Sequence, residues 1–102
     1  MSSQQDRIIL TADSLVFYSK RDEYAFVDWL KSIPGYIEMK LEGQILLIEF
    51  TIPPKLESVQ ELVAIFYRYG IDMKQLSQLE NEENSRWMRL TGYYWVDRIF
   101  SK

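Results

Sequence analysis

The spacing of hydrophobic residues changes several times along the chain, and each change predicts a new element. Two short β-prone runs, 7–10 and 15–18, predict either one irregular strand or a strand and its lead-in. Asp22 is the predicted N-cap of a first helix of about ten residues. Pro34-Gly35 ends that helix, because proline cannot continue it. Its apolar face comprises Phe26, Val27, Trp29, Leu30 and Ile33.

Strict alternation over residues 36–41 predicts a strand. One face carries Ile37, Met39 and Leu41, and the other carries Tyr36, Glu38 and Lys40. Glu42-Gly43 is the predicted turn into a second strand over 44–50, so 36–50 forms an antiparallel hairpin. Ile45 to Ile48 is apolar on both faces, which indicates a central strand. The partner of the N-terminal strand is left open.

The C-terminal half reads as helical. Ser58-Val59-Gln60-Glu61 has the capping-box pattern, and the helix that it begins runs to about Tyr69 with Gly70 after it. Asp72 is the predicted cap of a short third helix, and residues 80–84 form a polar break. The third helix presents Met73, Leu76 and Leu79, and the last helix presents Trp95, Val96, Ile99 and Phe100.

These elements predict an α+β fold of order β-α-β-β-α-α-α. The fold is a small, mainly antiparallel sheet with a central hairpin (36–50), packed by about four helices. The chain of 102 residues is long enough for a single domain, with residues 1–6 frayed.

The composition argues against catalysis. The chain has no histidine and no cysteine, which removes the commonest general base, the best thiol nucleophile and the usual zinc ligands. It also lacks a nucleophile elbow, a P-loop and a dinucleotide fingerprint. Glu80, Glu82 and Glu83 would support an enzyme only by converging in a pocket, and we interpret them as a solvated loop. We therefore predict no enzyme activity, catalytic residue, cofactor or metal.

The charge pattern disfavours a nucleic-acid partner. The net charge is −3, and no basic patch is visible as a run. The helix–Gly70–helix segment superficially resembles a helix-turn-helix, but its second helix carries only Lys74, beside Asp72. Neither a membrane span nor a signal peptide is present in the sequence, which predicts no membrane partner and a cytoplasmic location.

Fifteen aromatic residues are the chain's other unusual feature. We expect Trp95 and Tyr94 to close the core, whereas Trp87 and Tyr93 fit a core or an interface equally well. Carboxylates flanking these rings would attract a basic partner. The predicted partner-binding residues are Asp72, Glu80, Glu82, Glu83, Trp87 and Tyr93.

A pattern of core and turn positions runs from residue 57 to residue 100. It comprises Glu57-Ser58-x-x-Glu61-Leu62, the run from Phe66 to Leu76, Trp87, and Tyr94-Trp95-x-x-x-Ile99-Phe100. This pattern resembles small bacterial immunity proteins of contact-dependent growth inhibition and related polymorphic toxin systems. The resemblance implies a cytoplasmic inhibitor that binds a cognate toxin domain, frequently a nuclease, and blocks or occludes its active site. It supplies no catalytic residues to carry over.

Together these observations predict a non-catalytic immunity protein whose partner is a basic toxin domain. An intracellular regulatory or structural adaptor without a toxin partner is the alternative. Gene context separates the two, because a toxin gene directly upstream favours immunity and a metabolic operon favours an adaptor. The sequence leaves the oligomeric state open.

Overall fold

A computed structural model describes residues 6–101, in which three strands and five helical segments follow the predicted α+β order. The elements are β1 (Asp6–Asp13), α1 (Lys20–Ser32), β2 (Tyr36–Glu42), β3 (Ile45–Ile52), α2 (Leu56–Tyr69), a 3-10 helix (Lys74–Leu79), α3 (Ser85–Met88) and α4 (Tyr94–Phe100). The predicted third helix is the 3-10 helix, and the single turn α3 is additional. The predicted frayed segment 1–6 is wrong at Asp6, which begins β1, and the rest of it lies outside the described residues.

The sheet has the order β1-β3-β2, and both pairings are antiparallel. The prediction of a central strand is therefore confirmed, because β3 lies between the other two. Leu10 of β1 pairs with Ile48 of β3, which settles the partner of the N-terminal strand. The second β-prone run, 15–18, is a loop that leads into α1.

The hairpin turn lies one residue later than predicted. Glu42 pairs with Ile45, so Gly43 and Gln44 make the turn. Gly43 has φ +61°, whereas Gln44 stays outside the left-handed region. A two-residue turn with glycine at its first central position has the type II′ pattern, which fits the twist of the strands. Because a type II′ turn places glycine at its first central position, the turn comprises Gly43 and Gln44 and not Glu42 and Gly43.

A β-bulge at Ile37 alters the predicted alternation of β2. Tyr36 pairs with Phe50, and Glu38 pairs with the next residue, Glu49. The extra residue moves Tyr36 to the core side, where its ring meets Phe50 edge-on at 5.8 Å. The prediction that Tyr36 shares a face with Glu38 and Lys40 is therefore wrong.

Gly35 allows the chain to pass closely over β3. Its φ is +94°, and a Cβ at this position would lie 2.9 Å from Thr51 Oγ1. The Thr51 N–H donates to the Gly35 carbonyl over 2.9 Å. The end of α1 and the start of β2 are therefore held against the sheet by a residue without a side chain.

Helix α1 begins at a different cap from the one predicted. Ser19 is the N-cap, and its Oγ accepts from the Asp22 N–H over 3.1 Å. Asp22 lies three residues on and accepts from the Tyr18 N–H over 3.0 Å. The aspartate closes the first turn, as the acidic member of a capping box does. It also accepts a 3.2 Å bond from the Tyr69 hydroxyl, which joins α1 to the end of α2.

The predicted capping box of α2 does not form. The N-cap is Lys55, without a side-chain hydrogen bond, and the helix starts at Leu56. Ser58 is buried, and its hydroxyl donates to the Pro34 carbonyl over 2.8 Å. Glu61 accepts from the indole N–H of Trp29 over 2.7 Å. Contacts with other parts of the chain thus take both polar side chains away from the cap.

All helices pack on one face of the sheet, where a single cluster of buried residues forms the core. Its members come from every element except β2, whose Tyr36 and Met39 are partly buried and pack against the cluster. They include Leu10, Phe26, Leu30, Ile48, Leu62, Phe66, Leu76, Met88, Trp95 and Ile99. Met73, Leu76 and Leu79 are buried, as predicted, and Gly70 ends α2 with φ +70°. The other sheet face exposes Ile9 and carries a 2.9 Å ion pair between Arg7 and Glu49.

Candidate protein-binding surface

A buried asparagine organises the loop that carries the predicted acidic residues. Asn84 is fully buried; its Oδ1 accepts from the Asn81 N–H over 2.8 Å, and its Nδ2 donates to the Leu79 carbonyl over 2.8 Å. Asn81 in turn accepts from the Glu83 and Asn84 N–H groups over 2.9 and 3.0 Å. The predicted polar break is therefore an ordered loop. The polar composition of residues 80–84 predicts a turn, but nothing in the sequence indicates that Asn84 is buried.

Glu80 is engaged within the chain. Its carboxylate accepts from Arg89 Nη2 over 2.8 Å and from Ser85 Oγ over 2.6 Å, and it also pairs with Arg89 Nε. These bonds, chiefly those from Arg89, lower the pKa of Glu80 to about 2. The Arg89 guanidinium also lies 3.9 Å from the centre of the Phe100 ring. Glu80 thus fastens the acidic loop to α4.

Glu82 and Glu83 are exposed at the tip of the same loop. Helical hydrogen bonds link Ser85 to Asn81 and Met88 to Asn84, so Glu83 lies one turn before Trp87 on the same side. Within residues 6–101 no three Asp or Glu side chains come together as a metal site would require. The carboxylates of the loop point into solvent or to Arg89, not into a common pocket.

Asp72 lies apart from the acidic loop, between α2 and the 3-10 helix. Its Oδ1 accepts from the Lys74 N–H over 3.0 Å, which starts the 3-10 helix. The N-cap of that helix is nevertheless Met73, so the predicted cap at Asp72 is wrong by one residue. Asp72 lines a shallow cavity of about 340 Å³ together with Tyr67, Lys74 and Arg98. The predicted residues therefore do not form one compact patch. Asp72 stands at one end and Glu82, Glu83 and Trp87 stand at the other.

Stacked aromatic rings lie between these ends. The ring of Trp87 stacks on Trp95 with 4.4 Å between centroids and 18° between planes, and Tyr93 stacks on Trp95 at 4.8 Å and 24°. Two rings cannot share one face of an indole at these distances, so Trp95 is sandwiched. Trp95 is buried, as predicted, and its Nε1 donates to the Met88 carbonyl over 3.0 Å. The buried indole of Trp95 therefore holds the rings of Trp87 and Tyr93, which are more exposed than it is.

Two further tyrosines extend the stack. Tyr94 meets Trp95 edge-on at 5.1 Å and contacts Tyr67 at 4.4 Å, and the Arg98 guanidinium lies 5.0 Å from the Tyr67 ring. The expectation that Tyr94 closes the core is wrong, because 47 % of it is exposed. Tyr94 is the first residue of α4, and it turns outward when Trp95 turns inward. We call Tyr67, Trp87, Tyr93 and Tyr94 the aromatic surface.

Comparison with known proteins adds no relative. The chain matches no protein-family model, and no curated protein or solved structure gives a match to it. The helices within residues 6–101 are all too short or too polar to cross a lipid bilayer.

The charge around the aromatic surface is more balanced than the predicted acidic rim. Residues 80–98 contain four carboxylates and three arginines, a net charge of −1. Arg89 neutralises Glu80, and Arg98 covers Tyr67. Three carboxylates stay exposed: Glu82 and Glu83 lie in the loop before Trp87, and Asp97 lies on α4.

An apolar groove at the hairpin end of the sheet was not predicted from the residue pattern. It has a volume of about 720 Å³ and lies between the sheet, α1 and the loop before α1. Its lining includes Phe17, Phe26, Val27, Met39, Leu41 and Leu46, with Glu23 as the one carboxylate. Leu41 faces this side of the sheet, yet 68 % of it is exposed.

Proposed function

We propose that this chain is a non-catalytic binding protein, a cytoplasmic immunity protein that neutralises a cognate toxin domain through its aromatic surface. The observation that carries the proposal is the stack in which buried Trp95 holds Trp87 and Tyr93. The resemblance of residues 57–100 to immunity proteins gives the class of partner.

The aromatic surface has the properties of a binding hot spot. Tyr67, Tyr93 and Tyr94 are 46, 54 and 47 % exposed, so about half of each side chain is available for a partner. Their ring contacts restrain them before binding, which reduces the entropy lost on association. Tyrosine and tryptophan are enriched at such hot spots. The other halves of these rings already pack on the fold, so a partner meets a preformed surface.

The charges fit a basic partner at one end of this surface. Glu82 and Glu83 are exposed one helical turn from Trp87, and Asp72 is exposed beyond Tyr67. Basic groups of a toxin would pair with these carboxylates, and the pairing would accelerate association. Glu80 supports the loop through Arg89 and does not contact the partner in this proposal.

The test is co-expression with the product of the adjacent upstream gene. The proposal predicts that this product arrests growth alone and that the wild-type chain restores growth. Tyr93→Ala should weaken the rescue, whereas Tyr24→Ala, an equally exposed tyrosine on α1, should leave it intact. A harmless upstream product, or a toxin that the chain neither binds nor neutralises, would contradict the proposal.

A further inference from the structure

The two edge strands of the sheet, β1 and β2, differ in how their outward backbone groups are hydrogen-bonded. In an antiparallel ladder every second residue of an edge strand points its N–H and C=O away from the sheet. On β1 one such residue is Thr11, whose N–H donates to Gln75 Oε1 over 2.8 Å and whose carbonyl accepts from Gln75 Nε2 over 2.7 Å. A side-chain amide thus occupies this edge as a neighbouring strand would.

In the part of the chain that the structure describes, the edge of β2 carries no side-chain amide of this kind, and the Tyr36 hydroxyl reaches only the Met39 backbone. Glu42 pairs with Ile45 across the turn and Lys40 pairs with Leu47, so Met39 and Leu41 point their backbone groups outward. Among the described residues, no hydrogen bond reaches the N–H or C=O of Leu41. The groove below this edge exposes the Leu41 side chain. An open edge beside exposed apolar surface is a template for another strand.

The charges on β2 match those of a second copy in one antiparallel register but not in the next. The outer face reads Glu38, Lys40, Glu42, and within residues 6–101 none of the three forms an ion pair. A lysine on an edge strand usually prevents pairing with a second copy. In an antiparallel pair centred on Leu41, however, each Lys40 faces Glu42 of the other copy. A pair centred on Lys40 instead opposes lysine to lysine and glutamate to glutamate.

We propose that β2 binds a second copy of this chain, as an antiparallel pair centred on Leu41 that joins two sheets into one of six strands. The two Leu41 side chains meet at the two-fold axis, over the joined grooves. Met39 faces Gly43 of the other copy, where there is open space above the glycine. A centre on Met39 is the other register with matched charges, but it places the bulged residue Ile37 in the ladder. The aromatic surface lies on other elements and stays free.

The experiment is a measurement of molar mass by light scattering across a range of loading concentrations, with the full chain. The wild type should rise from 12.2 kDa toward twice that mass as concentration increases. Lys40→Glu should stay at 12.2 kDa, because each introduced glutamate then faces Glu42 of the other copy. Leu41→Pro should also be monomeric, since it removes an outward N–H and leaves the ladder to β3 intact. Lys74→Glu is the matched charge control and should associate like the wild type.

Mixing two monomeric variants tests the register. Glu42→Lys alone should be monomeric, because it opposes lysine to lysine. Mixed with Lys40→Glu, it should form a heterodimer, since both cross-strand pairs then join opposite charges. Restoration by Glu38→Lys instead would overturn the centre on Leu41. A wild type that stays at 12.2 kDa at the highest concentration, or a Lys40→Glu variant that associates equally well, would overturn the dimer itself.

Discussion

Asn84 allows a quantitative test of how the acidic loop is held. The side chain is fully buried and makes one accepted and one donated bond to backbone groups, each 2.8 Å long. A net hydrogen bond contributes about 1 kcal/mol, and a buried partner left unsatisfied costs about 1–3 kcal/mol. Asn84→Ala should therefore lower the free energy of unfolding by about 2–4 kcal/mol, from a total of about 5–15 kcal/mol for a domain of this size.

Asn84→Asp is the sharper variant, because it keeps the shape and changes one donor into an acceptor. At neutral pH the introduced carboxylate faces the Leu79 carbonyl without a proton, in a site that excludes water. The destabilisation should be at least as large as that of Asn84→Ala, about 3 kcal/mol or more. Burial raises the pKa of the introduced carboxyl in the folded state. Stability relative to the wild type is therefore lost as pH rises from the unfolded-state pKa of an aspartate, about 3.9, to the raised folded-state pKa, and it is regained as pH falls back through that window.

The assay is urea unfolding followed by tryptophan fluorescence at pH 7 and at pH 4. Asn84→Asp should approach the wild type at the lower pH, whereas Asn84→Ala should show a nearly constant deficit. Equal stability of Asn84→Asp and the wild type at pH 7 would refute the assigned hydrogen bonds. A cost below about 0.5 kcal/mol for Asn84→Ala would refute them too.

Three further predictions concern other parts of the fold. Glu80→Gln should lower the free energy of unfolding at neutral pH. This difference from the wild type should disappear as pH falls from 4.5 to about 2, because the wild type loses its ion pair with Arg89 in that window. Acid unfolding of both proteins measures the difference. Gly35→Ala should lower the free energy of unfolding in urea more than Gly92→Ala does. Both glycines have a similar positive φ, +94° and +93°, but of the two only Gly35 has an atom close to where the added Cβ would lie. Gln75→Ala should speed amide exchange at Thr11, whereas exchange at Leu10, inside the ladder, should change little.

The elements of the fold were largely predictable because they depend on local pattern. The apolar run of β3 indicated a central strand, and Gly70 marked the end of α2. The errors came where contacts from afar changed a local choice. Ser58 and Glu61 have the spacing of a capping box, but Pro34 and Trp29 take their polar atoms instead. The bulge at β2 was equally invisible, since one extra residue leaves the composition of a strand unchanged.

The candidate surface was predicted only in part, for the same physical reason. Aromatic residues near the C-terminus indicated a contact surface, yet which rings face outward depends on how α4 docks. Trp95 turns inward and Tyr94 outward, a distinction that adjacent aromatic residues do not reveal in sequence. Likewise, the charge of Glu80 was predicted to meet a partner, whereas Arg89, nine residues later, binds it within the chain.

The most direct test of the account is the affinity of the purified chain for the product of the adjacent upstream gene, which the proposal expects to contain a toxin domain. The affinity is measured by calorimetry with matched tyrosine variants. The account predicts that Tyr93→Ala and Tyr94→Ala each weaken binding at least tenfold, equivalent to about 1.4 kcal/mol, with folding intact. Tyr24→Ala, on α1, should bind as the wild type does. Unchanged affinity of both aromatic-surface variants, or a loss confined to Tyr24→Ala, would contradict the claim that the stack around Trp95 is the binding surface.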